Sequence, residues 1–307
     1  MNEPIIVITG PTASGKTSKA AALAKRMRAE IISADSRQVY KGMDIGTGKD
    51  LDEYGDVPYH LIDICPAGYK YNLYEFLRDY YIAYDEIRKR GRDVILCGGT
   101  GLYIEAVIKG LQLPKVPENK ELRSFLQDKS LENLTEILRS YKSLHNSTDV
   151  DSAKRAIRAI EIQKYYQENP DLGTQTEPNP IDAVVVCIDI DRDSRRRRIS
   201  QRLRQRLNQG MVDEVARLIT DEGLTPDDLI YYGLEYKFIT RYLVNEITYE
   251  EMVKGLEIAI HQFAKRQMTW FRGMERRGIK VHWVPYDMDI DEFTSKVVEW
   301  KNSYCRT

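Results

Sequence analysis

The chain has 307 residues, and its 46 Lys and Arg against 47 Asp and Glu give a formal net charge of −1. Hydrophobic residues at 42% and charged residues at 30% are typical of an ordinary globular protein and exclude the disordered, collagen-like and membrane-spanning classes. The sequence lacks an apolar run of roughly 18 residues and a secretory signal, so we expect a cytoplasmic protein with no membrane partner.

Short apolar runs rich in Ile and Val alternate with segments of helical spacing at the start of the chain. Strands are predicted at residues 5–9, 30–33, 59–64 and 94–97, and helices at residues 16–28 and 71–90. This alternation is typical of a parallel sheet flanked by helices. We therefore predict an α/β fold.

Residues 113–180 have a different character, with short helical patterns and few strand signals. Prolines bound this segment at Pro114 and Pro117 on one side and at Pro178 and Pro180 on the other. We predict a core of residues 1–112 and 181–307 interrupted by a helical insertion domain of residues 113–180. The sheet is expected to resume at residues 184–190 and 281–284, and a capping box at Thr248 to begin a helix that runs to about Arg272.

The four cysteines are far apart and form no C-x-x-C pair. We expect buried thiols rather than a zinc site at these positions, which are Cys65, Cys97, Cys187 and Cys305.

A phosphate-binding motif follows the first predicted strand directly. It matches G-x-x-x-x-G-K-[ST] and consists of Gly10, Pro11, Thr12, Ala13, Ser14, Gly15, Lys16 and Thr17. Its glycines let backbone amides point inward, Lys16 adds a mobile charge, and Thr17 offers a hydroxyl to Mg²⁺. The motif predicts binding of a diphosphate or triphosphate, as in nucleotide-binding and ATP-binding proteins, and leaves open whether the phosphates are transferred, hydrolysed or released.

Polar residues follow two further strands. Asp35 comes after the second strand, where ligands of an open α/β sheet collect, so it is placed to act as a base or, alternatively, only to cap a turn. Thr100 lies in a glycine turn after the fourth strand, which is either a phosphate contact or a plain loop.

Positive charge is clustered despite the neutral total. Residues 191–210 contain eight Arg against two Asp, and residues 261–280 contain six Lys or Arg against one Glu. In the first cluster Ile199, Leu203 and Leu207 recur at helical spacing, so this stripe is expected to pack while the arginines point outward along RNA phosphates. A solvated helix face remains the alternative.

Five motifs together resemble the tRNA dimethylallyltransferases, also called tRNA isopentenyltransferases. Two of them are long: Asp-Ser-Arg-Gln-Val-Tyr-Lys-Gly-Met-Asp-Ile-Gly-Thr-Gly-Lys at residues 35–49 and Ala-Lys-Arg-Gln-Met-Thr-Trp-Phe-Arg at residues 264–272. Residues 10–17, 60–64 and 98–103 complete the set in the family's order. The resemblance implies a P-loop NTPase-like core whose helical insertion clasps the anticodon stem-loop of tRNA.

The resemblance also implies the reaction. Dimethylallyl diphosphate would occupy the phosphate cradle, the amine of the adenosine following the anticodon would attack its allylic carbon, and pyrophosphate would leave with Mg²⁺ as cofactor. The tRNAs would be those that read codons starting with U. Asp35 matches the family's catalytic base, Thr100 a residue near the diphosphate and the flipped base, and Lys16 a cation on the leaving group.

The tRNA-binding residues are also carried over from the resemblance. The implied contacts are Asp35, Ser36, Arg37, Gln38 and Thr100 at the target nucleotide, Lys154, Arg155 and Arg158 in the insertion, and Lys265, Arg266 and Gln267 near the end. Tyr231 and Tyr232 are candidates for stacking on loop bases or for packing in the core. We expect a monomer.

The chain departs from the family pattern at one position. Many members carry an Arg three residues before the Gly of a Gly-Tyr-Lys-Glu segment, where this chain has Ile230. The missing cation would have to come from elsewhere, with Lys237, Arg266 and Arg272 as candidates.

Three other function classes remain open at this point. They are a P-loop small-molecule kinase, an adenylate isopentenyltransferase that accepts free nucleotides, and a non-enzymatic RNA-binding nucleotide switch.

Overall fold

The computed structural model describes residues 3–142, 148–170 and 179–304. It divides into two compact units. The core unit comprises Met1–Gly110 and Pro180–Thr307, and the insertion unit comprises Leu111–Asn179.

A six-stranded sheet forms the centre of the core unit. Its strands are β1 (Ile5–Thr9), β2 (Glu30–Ser33), β3 (Tyr59–His60), β4 (Val94–Gly98), β5 (Ala183–Asp189) and β6 (Val281–Pro285). The spatial order is β3-β2-β4-β1-β5-β6, and every neighbouring pair is parallel. Strands β1, β2 and β4 are buried along their whole length, as near-continuous apolar runs require in a sheet covered on both faces.

The described helices connect the strands of the core unit and build the insertion unit. In chain order they are α1 (Lys16–Met27), α2 (Leu73–Lys89), α3 (Gly101–Ile108), α4 (Lys120–Leu126), α5 (Leu131–Tyr141), α6 (Ala153–Glu168), α7 (Arg192–Asn208), α8 (Met211–Thr220), α9 (Pro226–Ile230), α10 (Leu234–Leu243), α11 (Tyr249–Arg276) and α12 (Ile290–Tyr304). The predicted capping box is present at α11, where the Thr248 hydroxyl accepts from the amide of Glu251 at 3.2 Å. None of the helices in the described ranges is long and apolar enough to cross a bilayer.

The predicted α/β fold with a parallel sheet is confirmed, but the third strand is shorter than expected. The prediction of a strand over residues 59–64 is wrong, because β3 ends at His60. Leu61 and Asp63 have φ angles of 62° and 56°, and residues in this left-handed region cannot continue an extended ladder. The carboxylate of Asp63 instead accepts a hydrogen bond from the buried ammonium group of Lys49.

Three cysteines are buried free thiols, in agreement with the sequence analysis. Burial raises the pKa of Cys65 to about 11 and that of Cys97 to about 12, so both remain protonated at neutral pH. Burial also raises the pKa of Cys187. Cys305 lies outside the described residues.

The insertion unit has its own small core. Buried side chains of α4, α5 and α6 pack together, among them Leu126, Leu134, Leu138 and Ile160. The buried carboxylate of Glu161 ties the unit's loop to α6, since it accepts from the amide of Asn119 at 2.6 Å and from Arg123 at 2.9 Å. Burial by itself would raise the pKa of Glu161, but hydrogen bonds from Arg123 and Arg158 outweigh burial and lower it.

Two buried charges hold the 35–49 segment in the core unit. Glu214 on α8 is 2% exposed and accepts from the amides of Asp44, Ile45 and Gly46 at 2.8, 2.7 and 3.0 Å. The Tyr236 hydroxyl donates to the same carboxylate at 2.7 Å. Lys49, 1% exposed, donates to the Tyr40 carbonyl at 2.7 Å. Much of this long motif therefore serves to fix a loop.

Replacing Glu214 with Gln tests the importance of this loop anchor. The amide would place donor hydrogens against backbone N–H groups, so we expect the free energy of unfolding to fall by about 3 kcal/mol. Urea denaturation measures the change. Asp213→Asn, an exposed neighbour on the same helix, should cost less than about 1 kcal/mol. Equal losses in the two variants would contradict a special role for Glu214.

Candidate active site

A cleft of about 890 Å³ opens at the carboxyl edge of the sheet in the core unit. The phosphate-binding loop forms its floor, together with the turns that follow β2 and β4. Helices α7, α10 and α11 contribute its walls. The location agrees with the rule that open parallel sheets bind ligands at the carboxyl ends of their strands.

The phosphate-binding loop runs from β1 into α1. Gly10 has a φ angle of 156°, and a Cβ atom there would lie 3.0 Å from the side chain of Ile188, so the backbone passes close to β5. The positive end of the α1 dipole faces the cleft, where Lys16 also lies. Burial lowers the pKa of Lys16, while the nearby charge of Asp35 works in the opposite direction.

The ends of β2 and β4 touch each other. A Cβ atom at Gly98 would lie 2.3 Å from the Ala34 carbonyl oxygen, so only glycine allows this approach. The Thr100 amide donates to the same carbonyl at 3.2 Å, and the Thr100 hydroxyl accepts from the Ser36 amide at 3.1 Å. The two turns are thereby joined, and Thr100 is brought beside the Asp35 turn.

Asp35 caps a turn and also lines the cleft, so its position is compatible with both roles that the sequence left open. Its Oδ1 accepts from the Arg37 amide at 2.9 Å, which caps the turn and fixes the carboxylate. Within the described ranges no hydrogen bond reaches Oδ2, and Asp35 lines the cleft. A carboxylate held by one oxygen and open at the other is suited to accept a proton.

Gln267 on α11 joins the phosphate-binding loop to the turn after β4. Its Oε1 accepts from the Thr12 amide at 2.9 Å, and its Nε2 donates to the Gly99 carbonyl at 2.9 Å. The side chain is 8% exposed. Sequence reasoning placed Gln267 among the tRNA contacts and missed this bridge.

Helix α7 faces the cleft with arginines. Arg198, Arg202 and Arg206 recur every four residues and line the cleft, whereas Arg195, Arg196, Arg197 and Arg204 line separate grooves. Arg198 Nε donates to the Ala13 carbonyl at 2.8 Å. Ile199 and Leu203 are buried as expected, and Arg196, Arg197, Arg198 and Arg204 are exposed, but Arg206 departs from the expected outward direction with a side chain only 11% exposed.

An apolar wall completes the cleft. Leu102, Phe263 and Trp270 line it and are 47%, 40% and 39% exposed. Side chains of this size left half-open inside a polar cleft commonly contact an apolar or aromatic ligand. Tyr232 is buried, and its hydroxyl donates to the Tyr69 carbonyl at 2.9 Å, so this tyrosine packs in the core.

Comparison with known proteins identifies the family. The model of the IPP transferase family matches residues 38–274, and an isopentenyl transferase model matches residues 3–54. The chain belongs to the IPP transferase family. The predicted family and the enzyme class, a prenyltransferase, are confirmed.

Individual IPP transferase relatives match over nearly the whole chain. A Bacteroides fragilis protein called tRNA dimethylallyltransferase 2 is 59% identical, covering 94% of each chain. The crystal structure of the tRNA isopentenylpyrophosphate transferase of Bacillus halodurans is 32% identical, with a TM-score of 0.73 over 99% of each chain. A eukaryotic dimethylallyltransferase acting on tRNA is 19% identical, with a TM-score of 0.79 over 97% of this chain and 77% of that one, and shares the fold.

The oxygen donors in the cleft of this IPP transferase fit a hard cation such as Mg²⁺. Thr17, Asp52 and Glu53 all line it. Across the described ranges there is no cluster of three or more His, Cys, Asp and Glu side chains that could hold a metal ion by itself. Mg²⁺ usually binds through one or two protein oxygens together with substrate phosphates and water, and Thr17, Asp52 and Glu53 offer such oxygens.

The remaining predicted tRNA contacts are divided between the core unit and the insertion unit. Arg266 lines the cleft, with its guanidinium 5.9 Å from the centre of the Phe263 ring, while Lys265 lies in a neighbouring groove. In the insertion unit Lys154 is exposed, and Arg155 pairs with Asp151. Arg158 Nη2 donates to the Val116 carbonyl at 2.9 Å.

The Gln267→Ala variant tests the bridge that Gln267 forms between the phosphate-binding loop and the turn after β4. The phosphate-binding loop would lose its tie to the β4 turn, so we expect kcat/KM to fall about ten- to a hundredfold through misplacement of the cradle. Isothermal titration with pyrophosphate and Mg²⁺ should show a matching loss of affinity. Lys254→Ala, exposed on the same helix, serves as control, and a Gln267→Ala enzyme indistinguishable from it would refute the bridge's importance.

Proposed function

We propose that this protein transfers a dimethylallyl group from dimethylallyl diphosphate to tRNA. The acceptor is the exocyclic amine of the adenosine that follows the anticodon, in tRNAs reading codons that begin with U, and pyrophosphate is released. The observation that carries the proposal is the placement of Asp35 and Thr100 beside a phosphate cradle within one cleft. The names of the relatives, which are tRNA dimethylallyltransferases, support it.

The cradle side of the cleft stabilises the leaving group. As the allylic C–O bond breaks, negative charge grows on the departing pyrophosphate. The amides at the start of α1, the α1 dipole and Lys16 already lie at the cleft before the reaction and offset that charge. Mg²⁺, when bound with the help of Thr17, supplies further neutralisation of the diphosphate.

The opposite side of the cleft activates the nucleophile. An aromatic amine becomes acidic as its new C–N bond forms, and the free oxygen of Asp35 is placed to accept the proton. The Thr100 hydroxyl, which accepts from the Ser36 amide, lines the same cleft and is proposed to lie near both reacting groups. The bond that forms is carbon to nitrogen, the bond that breaks is carbon to oxygen, and one proton goes to Asp35.

Base extrusion follows from this arrangement. The amine must enter the cleft to reach Asp35, so the adenine has to leave the anticodon loop. Phe263 and Trp270 offer half-exposed faces for the base or the prenyl tail. Ser36, Arg37 and Gln38 then contact the target nucleotide at the cleft floor.

The RNA backbone is proposed to lie on the two basic clusters. Arg195, Arg196, Lys265 and Arg272 line one groove outside the cleft, and Arg197 lines another. Lys154, Arg155 and Arg158 serve in the insertion unit. We further propose that the enzyme is a cytoplasmic monomer.

Acceptor competition tests the proposal against its alternatives. Purified protein is incubated with Mg²⁺, labelled dimethylallyl diphosphate and separate pools of tRNA and AMP. Label in tRNA and not in AMP is the expected result. Label in AMP alone would select an adenylate isopentenyltransferase, and phosphorylation of a small acceptor by ATP without prenyl transfer would select a kinase.

Asp35→Ala tests the base. Turnover should fall by roughly two to four orders of magnitude while tRNA affinity falls far less, because the proton acceptor is lost and the other tRNA contacts remain. Single-turnover kinetics and filter binding measure the two quantities. Asp56→Ala, an exposed carboxylate away from the cleft, is the control. Near-normal turnover in Asp35→Ala would show that Asp35 is not the base that accepts the proton.

The double variant Arg195→Gln with Arg197→Gln tests the RNA surface. Removing each guanidinium that neutralises a phosphate should weaken tRNA binding and reduce the salt slope of log Kd by about 1. Binding titrations across a range of salt concentrations measure the slope. Arg241→Gln with Lys296→Gln removes two surface charges elsewhere that pair with Glu246 and Glu292. If the double variant has the same salt slope as this control, the outer face of α7 is only a solvated helix surface and does not bind RNA phosphates.

A further inference from the structure

The three cleft-facing arginines of α7 differ in what their guanidinium groups contact. Arg198 is bonded to the phosphate-binding loop through the Ala13 carbonyl. Arg202 donates to the Asp50 carboxylate. Arg206 Nη2 is buried, and no atom of the described residues accepts a hydrogen bond from it.

The position of Arg206 makes this unused donor unusual. Its side chain is only 11% exposed, and the carboxylate within ion-pair distance among the residues described is Asp50 at 3.6 Å. Asp50 already pairs with Arg202, so one carboxylate is shared by two guanidinium groups. Burial lowers the pKa of Arg206 to about 10, which still leaves it charged at neutral pH.

The backbone around Arg206 is shaped to hold it. A Cβ atom at residue 48 would lie 1.7 Å from Arg206 Nη2, so the guanidinium packs directly on Gly48. Gly48 belongs to the loop next to residues 44–46, which Glu214 fixes through three amides. Nη2, which lies 3.6 Å from Asp50 and makes no hydrogen bond within the described residues, is therefore held in place at the cleft wall rather than free to rotate into solvent.

A buried guanidinium with an unused N–H is stabilised when a charged oxygen binds it. The planar fork of arginine matches phosphoryl oxygens in particular. We propose that Arg206 is a substrate-binding residue that donates from Nη2 to a phosphoryl oxygen in the reacting complex. The oxygen belongs either to the diphosphate donor or to the backbone of the target nucleotide, and the inference rests on the proposed function.

This assignment supplies a cation in place of the family's Arg, which this chain lacks because it has Ile230 at that position. Of the replacement cations considered from the sequence, Lys237 and Arg272 do not line the cleft, and Arg266 is exposed and lies over the Phe263 ring. Arg206 lines the cleft, carries charge and has bonding capacity to spare. It is the better source of the missing cation.

Two substitutions at Arg206 test the inference. Arg206→Gln removes the charge, and Arg206→Lys keeps the charge but removes Nη2. Arg217→Gln, an exposed arginine on α8, is the control. One arm measures the Kd of inorganic pyrophosphate with Mg²⁺ by calorimetry, a second measures KM for prenyl diphosphate and for tRNA, and thermal unfolding checks folding.

We expect Arg206→Gln to weaken one phosphate-bearing ligand about tenfold or more, Arg206→Lys to weaken the same ligand less, and the control to match wild type. Weaker pyrophosphate binding and a higher KM for prenyl diphosphate assign the oxygen to the donor. A higher KM for tRNA alone assigns it to the RNA backbone.

Unchanged pyrophosphate affinity and unchanged KM values in Arg206→Gln would overturn the inference. A variant that only unfolds at a lower temperature, with unchanged binding, would also overturn it, because Arg206 would then be a structural residue. If Arg206→Gln does not fold, Arg206→Lys decides, because without Nη2 the phosphoryl oxygen loses its donor and binding must weaken. Failure of the proposed function is distinguishable, since it would appear in the wild-type enzyme as absent prenyl transfer.

Discussion

The contact between the ends of β2 and β4 is the constraint on which the site depends. The Ala34 carbonyl would lie 2.3 Å from a side-chain carbon at Gly98, so a glycine is required for the strands to end side by side. The parallel register places Ser33 of β2 opposite Cys97 of β4, and Thr9 of β1 opposite Gly98 of β4. The ends of β1, β2 and β4 therefore lie at one edge of the sheet. The phosphate-binding loop, the Asp35 turn and the Thr100 turn come directly after these three strand ends. Gln267 then links the phosphate-binding loop to the Thr100 turn.

This geometry separates two opposite electrostatic tasks within one cleft. Lys16 and the α1 N-terminus favour negative charge, whereas the carboxylate of Asp35 favours positive charge or a proton; in the proposed reaction these are the leaving group and the nucleophile. The two residues lie close enough that the charge of Asp35 opposes the lowering of the Lys16 pKa by burial. Lys16 begins α1 and Asp35 lies in the turn after β2, and both line the same cleft.

The sequence predicted the fold and the cradle because their signals are local. Continuous apolar strands and an eight-residue loop motif require no knowledge of distant neighbours. The end of β3 was not predictable, because Leu61 and Asp63 adopt left-handed conformations that the buried Lys49 supports from another loop. The orientation of α7 on the sheet could be predicted only in part. Its apolar stripe was correct, but which arginines meet the cleft depends on how the helix is rotated against the sheet.

Buried polar contacts were the main features that sequence reasoning missed. Glu214 and Gln267 resemble ordinary polar residues of amphipathic helices, and nothing local to them shows that their backbone partners lie 168 or more residues away. Arg206 is similar, since its distinction is a buried donor for which the described residues offer no acceptor. Such residues are recognised only when the hydrogen bonds of the folded chain are accounted for.

The most direct test of the central claim asks which bond of the donor breaks. Dimethylallyl diphosphate with an oxygen isotope label at the bridge between carbon and phosphorus is reacted with tRNA, and both products are analysed by mass spectrometry. The account predicts that all of the heavy oxygen is found in pyrophosphate, in a one-to-one ratio with prenylated adenosine. Heavy oxygen retained in a prenyl alcohol, with phosphate transferred to an acceptor, would contradict it.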